Sequence, residues 1–263
     1  MRVRLQTLGC RLNESELETW ARQFQQRGYR VAGDGEAADL VVVNTCAVTG
    51  DAVRKSRKLL SRAQRENPRA RLVVSGCAAS LDDQDLGETG IDLLVPNADK
   101  DRLVEIAARE LALPLMPATA AEPAAAAVFA RGRQRAFIKI QDGCRYQCTF
   151  CVTTRARGEE RSRPAAEICD EINALTAGGI QEIVLTGVHA GGYGSYLGDS
   201  QSGLLERQLL ETEVPRIRLG SLEPCDLPDA FWRLFEDQRL MQQQQLPLHR
   251  GAVSVLKRLG RRC

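Results

Sequence analysis

A chain of 263 residues with 43% hydrophobic and 27% charged residues has an ordinary globular composition, enough for one large or two ordinary domains. A net charge of only +2 does not by itself identify a nucleic-acid partner. The sequence contains no apolar run of membrane-spanning length and no signal-peptide core near Met1, so we expect a cytoplasmic protein without membrane association.

Nine cysteines are many for such a chain. Disulfides are rare in the cytoplasm, so this excess points to metal or redox chemistry.

Residues 1–111 alternate between strand and helix signals, which implies right-handed crossovers and a parallel sheet. The expected strands are Arg2–Leu8, Asp39–Val43, Arg71–Ser75 and Ile91–Val95. The expected helices run from an Asn13 cap to Arg27, from Asp51 to Glu66 behind a Thr49 cap, and over Asp101–Leu111.

Three cysteines, Cys10, Cys46 and Cys77, each follow the C-terminal end of a predicted strand. In an open parallel sheet these ends share one edge, where ligands bind. A single cysteine in such a place is often a small buried hydrophobe. Three equivalent placements instead predict a metal or cluster site at this edge.

The Ala-rich and Pro-punctuated residues 112–135 have no amphipathic pattern and are expected to be an interdomain linker. From residue 136 the strand–helix alternation resumes, as about four βα units of a barrel-like array. The expected strands are Phe137–Ile140, Glu182–Leu185, Arg216–Leu219 and a weak Gln245–Leu248, and the expected helices are Ala165–Ala177, Leu204–Glu211, Pro228–Phe235 and Val253–Leu259.

A second set of cysteines, Cys144, Cys148 and Cys151, has the spacing CxxxCxxC in one loop after a predicted strand. Three closely spaced thiolates can hold three irons of a cubic cluster and leave the fourth iron without a protein ligand. Structural zinc is the alternative, but it usually takes four ligands in two pairs, and no second pair follows nearby.

These features together resemble the radical SAM methylthiotransferase family over essentially the whole chain. The matching motifs are Thr7-Leu8-Gly9-Cys10 with Asn13, Asn44-Thr45-Cys46, Ser75-Gly76-Cys77, the loop Cys144 to Cys151 with Phe150, Ala156-Arg157-Gly158, Arg161-Ser162-Arg163, Thr186-Gly187, and Ser221-Leu222-Glu223-Pro224. Within the family, Asn44-Thr45-Cys46-Ala47-Val48-Thr49 is similar to the MtaB-type branch.

The resemblance implies an α/β fold with three segments. It gives an N-terminal flavodoxin-like parallel sheet domain over residues 1–111, a linker over 112–135, and a partial radical SAM (βα) barrel over 136–263. Family members complete six βα units and add a small β-barrel that helps to bind RNA. We therefore expect a C-terminally truncated member that binds tRNA weakly on its own.

The resemblance also implies two 4Fe-4S clusters and S-adenosyl-L-methionine as cofactors. In the MtaB-type branch the substrate is tRNA, which is methylthiolated at C2 of threonylcarbamoyladenosine next to the anticodon. The implied partners are this tRNA and an electron donor such as flavodoxin or ferredoxin, and the expected state is a monomer. Three alternatives remain: isopentenyladenosine in tRNA as the substrate, a ribosomal protein side chain as the substrate, or an inactive iron–sulfur or zinc-binding fragment.

By the same resemblance, all six motif cysteines are cluster ligands, and Cys144, Cys148 and Cys151 are the catalytic set. The expected contacts to S-adenosylmethionine come from Phe150, Arg157, Thr186, Gly187, Ser221 and Glu223. Arg157, Arg161 and Arg163 could instead pair with tRNA phosphate or with Glu159 and Glu160. Cys169 is expected in the core, and His189 and His249 in structural or polar-surface roles.

Overall fold

The computed structural model describes residues 1–33, 35–81, 86, 90–114, 134–220, 222–247 and 251–261. The chain divides into two compact units. The first comprises Met1–Arg131 together with Arg155–Arg157, and the second comprises Gly132–Thr154 together with Gly158–Cys263. No helix within the described ranges is both long and apolar enough to cross a membrane.

The first unit is built on a five-stranded parallel sheet in the order β2-β1-β3-β4-β5. Its strands are β1 (Arg2–Thr7), β2 (Arg30–Val31), β3 (Leu40–Thr45), β4 (Arg71–Gly76) and β5 (Leu93–Leu94). Its helices are α1 (Arg11–Gln26), α2 (Gly50–Glu66) and α3 (Leu103–Glu110). The strand order 2-1-3-4-5 is that of the flavodoxin-like doubly wound fold, so the predicted fold class is confirmed.

The central strands of this sheet are buried on both faces, as expected for a parallel sheet with helices on either side. Val42 and Val73 are completely buried, and Trp20 and Phe24 of α1 pack into the same core. The register aligns Thr7 with Asn44 and Asn44 with Ser75, so β1, β3 and β4 end at one edge.

The start of α1 differs from the sequence prediction. Cys10, with an extended backbone, occupies the cap position, and Asn13 lies inside the first turn. The Asn13 amide donates to the carbonyls of Leu8 and Thr45, so it fastens the helix to the sheet edge rather than capping a helix end. The Thr49 cap is confirmed, because its hydroxyl accepts from the Ala52 amide.

The segment predicted to be a linker begins inside the first unit. Leu113 is buried in the core, and the Tyr29 hydroxyl donates to the Pro114 carbonyl at 2.8 Å. The first residues after 111 are therefore packed, which the absence of an amphipathic pattern could not indicate. Most of the predicted linker, residues 115–133, lies outside the described residues.

The second unit contains a three-stranded parallel sheet in the order β10-β9-β6 and a short antiparallel pair, β7–β8. The strands are β6 (Arg135–Lys139), β7 (Gln141–Asp142), β8 (Arg161–Ser162), β9 (Glu182–Thr186) and β10 (Arg216–Leu219). The helices are Ala165–Ala177, Gln201–Glu211, Asp229–Arg233 and Val253–Arg258, and the short helix Thr153–Arg157 ends in the first unit.

The predicted strand Gln245–Leu248 is not a regular strand over its described part, residues 245–247. The chain instead meets β10 through an isolated parallel bridge between Ile217 and Leu240, and the Leu222 amide donates to the Gln245 carbonyl. The glutamine run before Leu246 has no alternation of apolar side chains that could bury one face of a strand.

Candidate functional site

The three N-terminal cysteines lie at the C-terminal edge of the first sheet. Cys46 directly follows β3 and Cys77 directly follows β4, while Cys10 lies three residues beyond the end of β1. We call these residues the sheet triad. Cys46 and Cys77 are buried, whereas Cys10 is exposed. The alignment of the strand ends therefore brings together three residues that are far apart in the sequence.

Two glycines with left-handed backbones shape this edge. Gly76 has φ +100°, and a Cβ there would lie 2.3 Å from the Thr45 carbonyl oxygen. Gly9 has φ +109°, and a Cβ there would lie 2.8 Å from the Cys46 sulfur. Only glycine fits either position without displacing its neighbours, which explains why a glycine precedes Cys10.

Uncharged polar side chains surround the sheet triad. The Cys10 thiol lies 3.8 Å from the side-chain oxygen of Asn13, and the side-chain amide of Asn97 lies 3.8 Å from the Cys77 sulfur. The Ser56 hydroxyl accepts from the Cys46 amide and donates to the Cys46 carbonyl, which fixes the backbone of that residue. Neither Asn97 nor Ser56 was identified from the sequence, because their contacts are tertiary.

Burial raises the pKa of the Cys46 thiol above its ordinary value. The Val48 amide lowers this pKa by donating to the sulfur, Cys77 and Cys10 raise it further, and the Arg157 guanidinium lowers it. Thiolates gathered here would repel one another unless a positive centre lay between them. Soft sulfur donors in this arrangement fit an iron–sulfur cluster.

Beside the sheet triad lies a cluster of buried charges, formed by Glu16, Lys100 and Arg157. The Lys100 ammonium is 2.7 Å from one carboxylate oxygen of Glu16, and the Arg157 guanidinium is 2.9 Å from the other. Asn13 accepts a second hydrogen bond from Arg157 at 2.7 Å, and Asn44 donates to Glu16 at 2.9 Å. Lysine, glutamate and arginine are almost never fully buried unless they are paired.

The sequence prediction missed Glu16 and Lys100. Asn13 and Glu16 lie three residues apart on one helix face, which is a local signal that was available. Glu16 is 84 positions from Lys100 and 141 positions from Arg157, so these pairings have no signal in the sequence. The structure thus places Arg157 in the first unit, bound to Glu16 and Asn13.

The second set of cysteines, which we call the loop triad, lies in the loop after β7. Cys144, Cys148 and Cys151 are all partly exposed. The Cys144 amide donates to the Gly158 carbonyl, and the Cys151 amide donates to the Cys148 carbonyl. Gly143 has φ +69°, and a Cβ there would lie 1.9 Å from the Glu159 carbonyl oxygen.

The pKa of the Cys144 thiol is also raised, mainly by burial. The Tyr146 amide lowers it by hydrogen bonding, whereas Glu160, Cys148 and Cys151 raise it. The loop triad therefore shares the electrostatic character of the sheet triad. Binding a metal cluster requires deprotonated thiols, so a cluster held here would favour the thiolate form of Cys144.

A buried carboxylate–imidazole group adjoins the loop triad. The His189 Nε2 atom lies 2.7 Å from Asp226, its ring packs edge-on against Tyr146, and its Nδ1 atom lies 3.7 Å from Glu160. The Glu160 side chain is only 5% exposed, and neither of its carboxylate oxygens has a hydrogen-bond partner within the described ranges. His189 is thus buried and paired, consistent with the structural role expected for it.

The structure brings one of the residues predicted to bind the cofactor close to the loop triad. Arg261 contacts the carboxylate of Glu223 and, through Nη1, lies 3.6 Å from the Cys148 sulfur. The second oxygen of Glu223 is buried and has no hydrogen-bond partner in the described part of the chain. Arg261 was not anticipated, because it lies more than a hundred residues from Cys148 in the sequence.

The remaining predicted contacts are more scattered. Thr186 ends β9, and Gly187 packs so closely on Gln141 that a Cβ would lie 2.9 Å from its side-chain oxygen. Phe150 projects from the loop and is 58% exposed. Ser221 lies outside the described residues, as does His249.

The remaining side chains considered in the sequence analysis are Arg161, Arg163 and Cys169. Arg163 donates to Glu171 and to the Lys139 carbonyl, whereas Arg161 lies in β8 with an exposed side chain. Cys169 is buried in the helix Ala165–Ala177, as expected for a core residue.

Among the described residues, no three His, Cys, Asp or Glu side chains converge closely enough to hold a single metal ion. A tetrahedral zinc site would draw its sulfurs to about 2.3 Å from one ion. Neither triad has this arrangement as it stands. The donor set of three thiols suits the corners of a larger cluster better.

Two family models match the chain. The model of the uncharacterized protein family UPF0004 matches residues 2–95, and the model of the radical SAM superfamily matches residues 138–236. These two ranges contain the sheet triad and the loop triad, respectively. They therefore place each set of cysteines in a separate matched region.

Curated relatives are similar over nearly the whole chain. The threonylcarbamoyladenosine tRNA methylthiotransferase MtaB of Bacillus subtilis is 34% identical over 99% of this chain and 60% of its own length. The MtaB of Thermotoga maritima is 32% identical over 99% of this chain and 61% of its own length. The tRNA-2-methylthio-N(6)-dimethylallyladenosine synthase of Anaeromyxobacter dehalogenans is 32% identical, with coverages of 99% and 58%. The chain thus spans about 60% of the length of these relatives.

A solved structure with a similar fold is the radical S-adenosylmethionine methyltransferase TsrM from Kitasatospora setae. It matches with a TM-score of 0.65 over 97% of this chain and 60% of its own chain, at 19% identity. At this identity the likeness concerns the fold alone. It agrees with the α/β architecture described above.

Proposed function

Because this chain belongs to the radical SAM methylthiotransferase family, we propose that it holds two 4Fe-4S clusters and takes part in the methylthiolation of tRNA. The observation that carries the proposal is the presence of two cysteine triads, one at the ends of three parallel strands and one in a single loop, each in its own matched region. The site proposed for methylthiolation is C2 of threonylcarbamoyladenosine next to the anticodon. Support for this choice comes from the MtaB relatives and from the motif that begins at Asn44.

The loop triad is proposed to hold the cluster that binds S-adenosylmethionine at its open iron. When bound, this cluster supplies the electron that cleaves S-adenosylmethionine to methionine and a 5′-deoxyadenosyl radical. The chain's own contribution is to bind and orient the cofactor. Both oxygens of Glu160 and one oxygen of Glu223 are buried and accept no hydrogen bond within the described residues, although Glu160 lies 3.6 Å from the Arg145 guanidinium. These oxygens suit the ammonium and ribose hydroxyl groups of S-adenosylmethionine. Phe150, Thr186, Gly187 and Ser221 are proposed as further contacts.

The sheet triad is proposed to hold the second cluster, which provides the sulfur chemistry that separates this family from other radical SAM enzymes. Cys46 and Cys77 are buried, so this site excludes water from at least two of its three ligands. Asn13 and Asn97 orient the thiols of Cys10 and Cys77. Such outer partners commonly tune how strongly a metal centre is held.

Iron and sulfide counting after anaerobic reconstitution tests the cluster assignment. The chain should bind about eight irons, as expected for two cubic clusters. Cys148→Ala and Cys46→Ala should each leave about four. Zinc without iron, or an unchanged iron content in either variant, would contradict the proposal and favour a zinc-binding or inactive fragment.

Turnover assays with a chemical reductant, and with reduced flavodoxin or ferredoxin, test the enzymatic step. We expect 5′-deoxyadenosine to form from S-adenosylmethionine in the parent chain and in Cys46→Ala, but not in Cys148→Ala. Methylthiolation should then require both triads. No cleavage by an iron-replete parent chain would contradict the enzymatic proposal.

A second candidate substrate is dimethylallyladenosine in tRNA, which is favoured by the similarity to the Anaeromyxobacter dehalogenans synthase. Parallel assays with tRNA carrying either threonylcarbamoyladenosine or dimethylallyladenosine separate the two. Mass spectrometry of the digested nucleosides would show a mass gain on threonylcarbamoyladenosine if the first proposal holds. A mass gain on dimethylallyladenosine alone would reverse the order of the two candidates.

A further inference from the structure

Burying the three charged side chains of Glu16, Lys100 and Arg157 costs desolvation free energy. The side chains are 2%, 0% and 2% exposed, and they carry two positive charges and one negative charge. The desolvation of a charged side chain costs several kcal/mol, and a salt bridge recovers this only when the geometry is good. A hydrophobic core would fill this volume more cheaply. The position of these buried charges next to the sheet triad therefore points to a role beyond stability.

The cluster of charges is connected to the sheet triad by direct contacts. Arg157 donates to the side-chain oxygen of Asn13 at 2.7 Å, and that same oxygen lies 3.8 Å from the Cys10 sulfur. One buried cation is therefore linked to the triad through a single amide oxygen.

A second set of contacts fixes the backbone that carries Arg157. The Asn97 amide donates to the Ala156 carbonyl at 2.6 Å and lies 3.8 Å from the Cys77 sulfur. Asn97 is 2% exposed, so neither contact is in competition with bulk water. The segment Arg155–Arg157 groups with the first unit and is held beside the third thiol by this amide.

We propose that Arg157 and Glu16 are positioning residues that set the net charge beside the sheet triad and thereby tune the reduction potential of its cluster. This inference rests on the proposed function, because it presumes an iron–sulfur cluster on these three cysteines. A reduced cluster carries one more negative charge than an oxidised one. A nearby buried cation stabilises the reduced form, and a nearby buried anion destabilises it.

The sharpest test changes the charge in both directions. The background is the full chain with Cys144, Cys148 and Cys151 replaced by Ala, so that only the sheet triad can hold iron. In this background Arg157→Gln should shift the reduction potential to more negative values. Glu16→Gln should shift it to more positive values. The potentials are measured by redox titration monitored by electron paramagnetic resonance.

Two controls separate charge from structure. Arg155→Gln removes a positive charge from an exposed side chain two residues away and should leave the potential near that of the parent. Glu16→Gln combined with Lys100→Met removes one anion and one cation, so the net charge is unchanged. This double variant should have a reduction potential near that of the parent, even though Glu16 no longer forms its ion pairs with Lys100 and Arg157.

Iron retention gives a second readout. Against a chelator, Arg157→Gln should lose iron about 10–100-fold more readily than the parent, as is typical when an outer partner of a metal ligand is removed. Arg157→Lys keeps the charge but not the planar guanidinium geometry. It should therefore recover the parent's potential while recovering only part of its iron retention.

The outcomes distinguish this inference from the proposed function. If the parent background binds no iron after reconstitution, the proposed second cluster is wrong. If it binds about four irons but Arg157→Gln and Glu16→Gln shift the potential in the same direction, or not at all, the positioning role is overturned. If Glu16→Gln does not fold, as judged by Trp20 fluorescence, the double variant and Arg157→Gln decide: equal potentials reject the inference.

Discussion

The two cysteine triads are built in opposite ways. The sheet triad collects Cys10, Cys46 and Cys77 from the ends of three strands, and two of its thiols are buried. The loop triad takes all of its members from a single loop, Cys144 to Cys151, and all are partly exposed. The first arrangement exists only when the sheet is formed, whereas the second depends on one local turn. A substitution that disrupts one triad should therefore reduce the iron bound at that triad and leave the iron of the other triad in place.

The largest expected effects come from replacing the glycine next to each triad, which should remove the iron of that triad alone. Gly76→Ala and Gly143→Ala would each place a Cβ on a carbonyl oxygen in a left-handed backbone. The backbone conformation costs about 1–2 kcal/mol, and overpacking adds about 1–3 kcal/mol. We expect Gly76→Ala to lose the iron of the sheet triad and Gly143→Ala that of the loop triad, each about half of the total.

The control for both is Gly50→Ala, which meets no atom within 4 Å and lies at the start of α2. This variant should keep the full iron content. If Gly143→Ala loses iron from the sheet triad and keeps the iron of the loop triad, the two sites do not depend on their own local structure. Iron and sulfide counting in Cys148→Ala and Cys46→Ala backgrounds would show which cluster was lost.

Replacing a buried side-chain amide in each unit should destabilise that unit, with a smaller effect than the glycine replacements. Asn97→Ala removes the donor to the Ala156 carbonyl in the first unit. Gln141→Ala in the second unit removes donors to Asp142 and Gly143 and the acceptor for the His189 amide. Each buried group left without a partner costs about 1–3 kcal/mol. Gln141→Ala should therefore be the more destabilising of the two.

The two tryptophans allow each unit to be followed separately in urea. Trp20 is buried in the first unit and Trp232 lies in the second. Asn97→Ala is measured in a Trp232→Phe background, and Gln141→Ala in a Trp20→Phe background. A larger loss of stability for Asn97→Ala than for Gln141→Ala would contradict the ranking based on the number of buried groups left without a partner.

The fold was largely predictable because its signals are local. Helix Ala165–Ala177 and strand Arg216–Leu219 have the predicted bounds, and the alternation of elements gave the parallel sheet. The loop triad is a sequence motif, and the sheet triad follows from strand ends in a parallel sheet. The contacts of Arg157 and Arg261 were not predictable, because pairing across more than a hundred residues leaves no periodic trace.

Both units contain a helix whose N-terminus is capped by a hydroxyl side chain, and the two caps should contribute about equally to stability. The Thr49 hydroxyl accepts from Ala52 in the helix that follows Cys46, and the Ser200 hydroxyl accepts from Gly203 in the second unit. Thr49→Ala and Ser200→Ala should each cost about 1 kcal/mol, because one amide of the first turn loses its acceptor. Ser61→Ala, on the exposed face of α2, should change stability by no more than about 0.5 kcal/mol. Urea midpoints in the matching single-tryptophan backgrounds measure all three.

The smallest expected difference concerns two lowered carboxyl pKa values, one in each unit. Hydrogen bonds from the Arg239 side chain and then from its backbone amide lower the pKa of Asp237, and a hydrogen bond from Arg62 lowers that of Glu66. Each depressed pKa adds stability that is present above the ordinary carboxyl pKa and is lost as the pH falls through the folded value.

Asp237 should contribute more of this acid-sensitive stability than Glu66. Asp237 accepts from the backbone amide of Arg239 as well as from its guanidinium, whereas Glu66 pairs with the side chains of Arg62 and Arg4. Because the Asp237 side chain is one-third exposed, its contribution should stay below about 1 kcal/mol. Asp237→Asn should reduce the loss of urea stability between pH 6 and about pH 3, below the ordinary aspartate pKa of about 3.9, as followed by Trp232. Glu66→Gln, followed by Trp20, should reduce it less. An equal or greater effect for Glu66→Gln would show that the additional backbone hydrogen bond does not make the Asp237 pair the stronger one.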